Sequence, residues 1–392
     1  MKNVIITIVS IFLLTSFCFT PFDKTFATTS ETENIEEQLV ESIEIQLDSL
    51  ELGAVEEMYD EFVNADERSF SDLLNGALNG EFSFSFPTIL DFISDQIVNT
   101  IKSKYKLLLI ILLIAFISAL IDNMVISKKS SGFSSSISFV FVVFIASIIS
   151  YTVIDVVKEA SVTLSNIGSL AETVCPILLA LMVSVGAVSS SAIYQPAVTA
   201  MTTLIINIFS DIVFGIIIFI FILTILGSIV DKFKLEKLNQ FCSSFVKWVV
   251  AVVFTLFMGF LSVQGITAGG YDGLSIKTAK YAIRSYIPMV GGYLSEGFEV
   301  FRGGSILIKN SLGVIGIVVL FSMVLSPIVE LIALNLTFRL ASAFTEMIGA
   351  GKISNLLSGV TKIFTFLIAI IFAVFMMCFI LFLLIIMTAN VV

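Results

Sequence analysis

Histidine is missing from the 392 residues, tryptophan occurs once, proline six times, and charged side chains make up 13%. Without an imidazole there is no general base for a Ser-His-Asp triad or a rhomboid-like hydrolase. Cysteine is scarce and scattered, at 18, 175, 242 and 378, so neither a CxxC pair nor a zinc-ligand spacing exists. No Gly-x-x-x-x-Gly-Lys-Ser/Thr run is present to cradle nucleotide phosphates. Asp122, Asp155 and Asp211 lack the Gly-x-Gly-Asp setting of intramembrane aspartyl proteases. Basic charge is short too: 21 Lys+Arg against 31 Asp+Glu, net −10, which excludes a basic nucleic-acid binder. These absences argue against an enzyme and leave no cofactor or metal site to name.

Apolar side chains are abundant: 57% of the chain is hydrophobic and 37 residues are Phe. Soluble domains average about 45–50% apolar and about 25% charged residues, so the composition is that of a polytopic membrane protein. The expected fold is an all-α membrane helix bundle of five to seven spans, one or two of them re-entrant or broken. Charge divides the chain. Residues 28–100 hold 18 acidic side chains against Arg68 alone, whereas the remainder from 101 on carries a net +6. Three regions follow: a signal peptide at 1–27, an acidic extracytoplasmic segment at 28–100, and a multi-pass membrane domain at 101–392.

The first region has Lys2, an apolar run at 4–19, and small residues, Thr25 and Ala27, at the −3 and −1 positions of a cleavage site. Phe17 is too bulky beside Cys18 for lipoprotein modification. In the acidic segment Ile35, Leu39, Ile43, Leu47, Leu50 and Val55 recur among glutamates at near-helical spacing, predicting an amphipathic helix within 28–64. It reads as a solvated helix or as a docking arm for a basic partner. Residues 69–87 predict two short turns broken at Gly76, Gly80 and Pro87, with Phe82, Phe84 and Phe86 as a strand or an aromatic foot on the bilayer.

A spanning helix needs about 20 apolar residues. Five runs qualify: 107–126, 137–157, 245–266, 311–329 and 363–389. The stretch from Pro176 through Gly186 to Gln195-Pro196 is rich in small and polar side chains, predicting a short or re-entrant element at 174–193. A long kinked span follows at 197–230, with Asp211 inside it. Residues 267–310 carry three Gly-Gly pairs, and an amphipathic cationic helix is expected between the first two, ending at Pro288.

Ionisable residues in apolar sequence are costly in lipid, so they sit in the headgroup layer or face a bundle interior or water. Asp122, Asp211, Glu330 and Arg339 are such residues. The candidate pathway or packing residues are Pro176, Gly186, Gln195, Pro196, Asp211, Gly259, Gln264, Gly265, Asp272, Lys280, Pro288, Glu330 and Arg339. Lysine and arginine balance on the two faces of the threading that follows from these spans. Orientation therefore rests on the signal peptide, which starts the acidic segment on the outer face.

Several blocks carry a resemblance: Phe257-Met258-Gly259, Ser262-Val263-Gln264-Gly265, Asp272-Gly273 with Thr278-Ala279-Lys280, and Ile287-Pro288 with Gly291. Together with Leu178 to Met182, Pro196 and the stretch from Ser305 through Lys309-Asn310-Ser311 to Gly316, they resemble the stage III sporulation protein AE family over nearly the whole chain. The resemblance implies a multi-pass protein of endospore-forming bacteria, in the mother-cell membrane surrounding the forespore. It implies as partners the other subunits of the stage III sporulation complex, including its ATPase and ring-forming proteins, besides the lipid bilayer. The function it implies is a channel or export-platform subunit of the mother cell–forespore transport complex, needed for late forespore gene expression and development. It carries over no catalytic residue. Two other readings stay open, a stand-alone secondary transporter and a purely structural anchor.

Overall fold

The computed structural model describes residues 32–63, 69–79, 98, 102, 106, 109–120, 131–229, 235–286 and 291–388. Every regular element among them is helical. The acidic segment folds as α1 (Thr32–Asp48), α2 (Gly53–Phe62) and α3 (Phe70–Asn79). The expected single amphipathic helix is thus two, parted at residues 49–52. Gly76, expected to break a turn, lies inside α3, because one glycine costs a helix only about 1 kcal/mol. Gly80, Pro87 and the three alternating phenylalanines lie outside the described residues, as does Asp122.

A short apolar helix, α4 (Leu109–Leu120), precedes five helices long and apolar enough to cross a membrane. These are α5 (Ser131–Ser184), α6 (Val188–Ile229), α7 (Glu236–Tyr286), α8 (Gly291–Met347) and α9 (Gly351–Met387). Three expectations are corrected here. The helix does not break at Pro176 but runs through it to Ser184. A proline removes one backbone donor, and neighbouring helices in a membrane bundle tolerate that loss. The cationic stretch after Gly269-Gly270 is not a separate helix but the continuation of α7, and Gly303-Gly304 lies within α8. The 174–193 stretch is therefore no re-entrant element: it is the end of one long helix, a tight turn, and the start of the next.

Both described turns between long helices are built alike. Gly186 and Gly349 each take φ of 91°, a left-handed conformation that costs an L side chain about 1–2 kcal/mol. At the first, Ala187 N–H donates to the Met182 carbonyl at 2.9 Å and Gly186 N–H to Val183 at 2.9 Å. At the second, Ala350 N–H donates to Thr345 at 2.9 Å and Gly349 N–H to Glu346 at 3.0 Å. This is the Schellman arrangement, in which two bonds cap the last carbonyls of the incoming helix.

The core sits between α5, α8 and α9, with α9 the most enclosed of the spans and α7 the least. Gly316 of α8 lets Phe382 of α9 and Val174 of α5 come so close that a Cβ would lie 3.1 Å from each. Gly313 does the same for Ile386, and Gly168 of α5 for Ile206 of α6, whose Cδ1 would stand 2.5 Å from a Cβ. Small residues at such crossings let backbones approach, since lipid supplies no hydrophobic drive between helices. Phe338 and Phe364 meet edge to face at 5.3 Å lower in the same seam.

The acidic α1 is held against α8. Gln46 donates to the Phe301 carbonyl at 3.2 Å and accepts from Ser305 Oγ at 2.6 Å. Gly303 and Gly304 make the notch that seats Leu39, Ile43 and Gln46.

Candidate transmembrane pathway

The sequence-predicted residues divide by place. Pro176 is exposed on α5, and Gly186 forms the α5–α6 tip. Gln195, Pro196 and Asp211 are exposed along α6, the first two just past that tip and Asp211 further along the same helix. Gly259 is exposed on α7, and among the described residues a Cβ there would meet nothing within 4 Å. Gln264, Gly265, Asp272 and Lys280 continue α7 as backbone positions, and their side chains lie outside the described ones. Pro288 lies outside the described residues altogether. Glu330 is half-buried and Arg339 exposed, both on α8.

Other polar groups inside the bundle escaped the sequence reading. Lys309 is fully buried, and its ammonium donates to the Ile386 carbonyl at 2.9 Å and to the carbonyl of Thr388. A cation on the last carbonyls of a helix answers its negative dipole end. Asn335 of α8 donates to the Thr361 carbonyl at 2.8 Å and to Thr365 Oγ1 at 3.0 Å on α9. The signal available was a strong donor beside apolar sequence: Lys309 after Ile306-Leu307-Ile308, and Asn335 between Leu334 and Leu336.

The two turns also share their side-chain closure. Ser191 Oγ donates across the first hairpin to the Leu179 carbonyl at 3.2 Å, and Ser354 Oγ across the second to the Ser342 carbonyl at 3.0 Å. The corresponding residues are all 163 apart: 179 and 342, 186 and 349, 191 and 354. Tyr194, just after the first tip, hydrogen-bonds through its hydroxyl to Thr388 Oγ1 at 3.2 Å, at the end of α9. Gly359, just after the second tip, abuts Thr224 near the end of α6. The helices α6 and α9 therefore run antiparallel, and the two tips stand at opposite ends of the bundle.

Residues 68–389 match the family described as Stage III sporulation protein AE (spore_III_AE). The chain belongs to that family. A curated relative, Stage III sporulation protein AE of Bacillus subtilis (strain 168), is 26% identical over 223 residues, which cover 57% of this chain and 56% of that protein. The match thus spans little more than half of the relative's length. No solved structure matches the chain. The family is one of sporulation proteins, and its description names no enzyme. Five helices among the described residues are long and apolar enough to cross a membrane, which makes this member a multi-pass membrane protein by length and composition.

Proposed function

We propose that the chain is the membrane-embedded channel or export-platform subunit of the mother cell–forespore transport complex, in the mother-cell membrane around the forespore. Its partners are then the other stage III subunits, among them an ATPase and ring-forming proteins. The ATPase supplies the energy, since this chain has no nucleotide-phosphate loop. In this reading residues 1–27 are a cleaved signal peptide, 28–100 stand in the outer compartment, and 101–392 form the membrane domain.

The observation that carries it is the pair of equivalent hairpins at opposite ends of the bundle. If each long helix crosses once, α6, α7 and α8 separate the tips by three crossings, which puts them on opposite faces. Similar units in inverted orientation are a recurrent plan of transport proteins. That plan also favours the second reading, a stand-alone secondary transporter.

One experiment separates the readings. The purified chain is placed alone in liposomes loaded with small metabolites, and a strain lacking it is complemented and followed for passage of a hydrophilic dye into the forespore. A complex subunit gives no flux alone, while dye passage and late forespore gene expression depend on the chain. Flux from liposomes establishes the transporter instead. Dye passage unchanged without the chain overturns both and leaves an anchor.

A further inference from the structure

The helix α6 is not a plain α-helix. Its residues Ala200–Ile205 and Ile208–Val213 form two π-helical segments. The reason shows in the side facing the bundle, where Ala197, Met201, Ile205, Phe209, Val213 and Ile217 are buried at every fourth position. In an α-helix a four-residue step turns by about 40°, so five such steps would carry the row to the opposite side. A π turn, with about 4.4 residues, drifts the other way. Alternating the two keeps one straight row against α5 and α9.

The same register sets the outward side. Gln195, Thr199, Thr203, Asn207 and Asp211 are all exposed, again at every fourth position. They form a polar line roughly 20–24 Å long, at about 1.2–1.5 Å per residue, against a hydrocarbon core of about 30 Å. Leu204 and Ile212 beside it are 61% and 53% exposed, so apolar surface flanks the line. The Thr199 hydroxyl donates back to the Gln195 carbonyl at 3.2 Å, as a helical threonine does. The carboxamides of Gln195 and Asn207 and the carboxylate of Asp211 therefore carry most of its polarity. A carboxylate and two carboxamides facing hydrocarbon are costly, and such groups normally face a polar cavity.

We infer that the line Gln195–Thr199–Thr203–Asn207–Asp211 is one wall of a water-filled passage for small hydrophilic solutes, and that the Asp211 carboxylate makes this passage favour cations over anions. The inference rests on the transport reading above and names the path within it. The line faces away from the protomer's described core, and the opposite wall comes from outside that core. Pore walls in cation channels use acidic side chains in the same way.

The test places single cysteines at 199, 203, 207 and 211, and at the flanking positions 204 and 212, in the full-length chain in sporulating cells. Cationic and anionic methanethiosulfonate reagents are the probes. The native Cys175, Cys242 and Cys378 are buried, and the unmodified chain supplies the baseline. The four line positions react and Leu204→Cys and Ile212→Cys do not. At Asn207→Cys the cationic-to-anionic rate ratio falls about tenfold on Asp211→Asn, the factor for unit charges about 6 Å from a carboxylate in water. Asp211→Glu keeps the ratio, and spore yield and membrane level report folding. A line that is unreactive, or no more reactive than 204 and 212, overturns the wall. A ratio insensitive to Asp211→Asn overturns its charge role. Dye passage that persists with an unreactive line leaves the transport reading standing and removes this path alone.

Discussion

Replacing Lys309 by methionine is the sharpest probe of how the last helix is held. The lysine stem is buried in α8, and its ammonium grips the carbonyls of Ile386 and Thr388 at the end of α9. Hydrogen bonds to a charged group contribute about 1.5–3 kcal/mol each, and an acceptor left unpaired in the interior costs about 1–3 kcal/mol. Against that, methionine fills the stem's volume and spares the several kcal/mol of burying an ammonium. The balance predicts a loss of about 2–3 kcal/mol, a 30- to 150-fold shift in the unfolding equilibrium. Helical circular dichroism in mixed SDS micelles reads that shift as a lower SDS fraction at the midpoint. Lys309→Ala loses more, because the apolar stem packs as well as the charge. Equal midpoints for Lys309→Met and the parent refute the clamp.

Gly186→Ala and Gly349→Ala each lose about 1–2 kcal/mol to the left-handed backbone, and the double variant loses their sum within about 0.5 kcal/mol, by the same SDS unfolding. Asparagine at either site costs less than alanine, since it tolerates that conformation. Gly359→Val drives a side chain into Thr224 and costs about 1–3 kcal/mol as overpacking; Thr224→Ala restores part of it. Asn335→Leu costs about 1 kcal/mol, in the range of interhelical hydrogen bonds within membranes. Gln46→Ala releases α1 from α8 and leaves the membrane helices as stable as before. Limited proteolysis then cuts within 32–48, while the SDS midpoint stays put.

The apolar runs at 137–157, 245–266, 311–329 and 363–389 were legible because about 20 residues in lipid must be apolar; the first three lie within long helices, and the last is helical as far as Met387. Helix ends were not. An apolar run reports the part in lipid, while α5, α7 and α8 continue into polar sequence where hydropathy falls silent. The Gly-Gly pairs at 269 and 303 misled for a related reason: a cost of about 1 kcal/mol per glycine is outweighed by packing along a long helix. At Gly304 the missing side chain makes room for Gln46 rather than a break. Of the residues in the polar line on α6, Asp211 stood out as a charge in apolar sequence and Gln195 as the end of a stretch rich in small and polar side chains. Their alignment with Thr199, Thr203 and Asn207 did not, because an α-helical wheel scatters a step of four and only the π segments straighten it.

The lengths of α5 and α8 have a mechanical consequence. At about 1.5 Å per residue the 54 and 57 residues of these rods reach roughly 80 and 85 Å, well over twice the thickness of the hydrocarbon layer. Much of each must stand clear of the bilayer, and α8 holds the acidic α1 at one such overhang. A sideways force on that overhang acts through a long moment arm, and the fulcrum is the seam where Gly313, Gly316 and Lys309 lock α8 to α9.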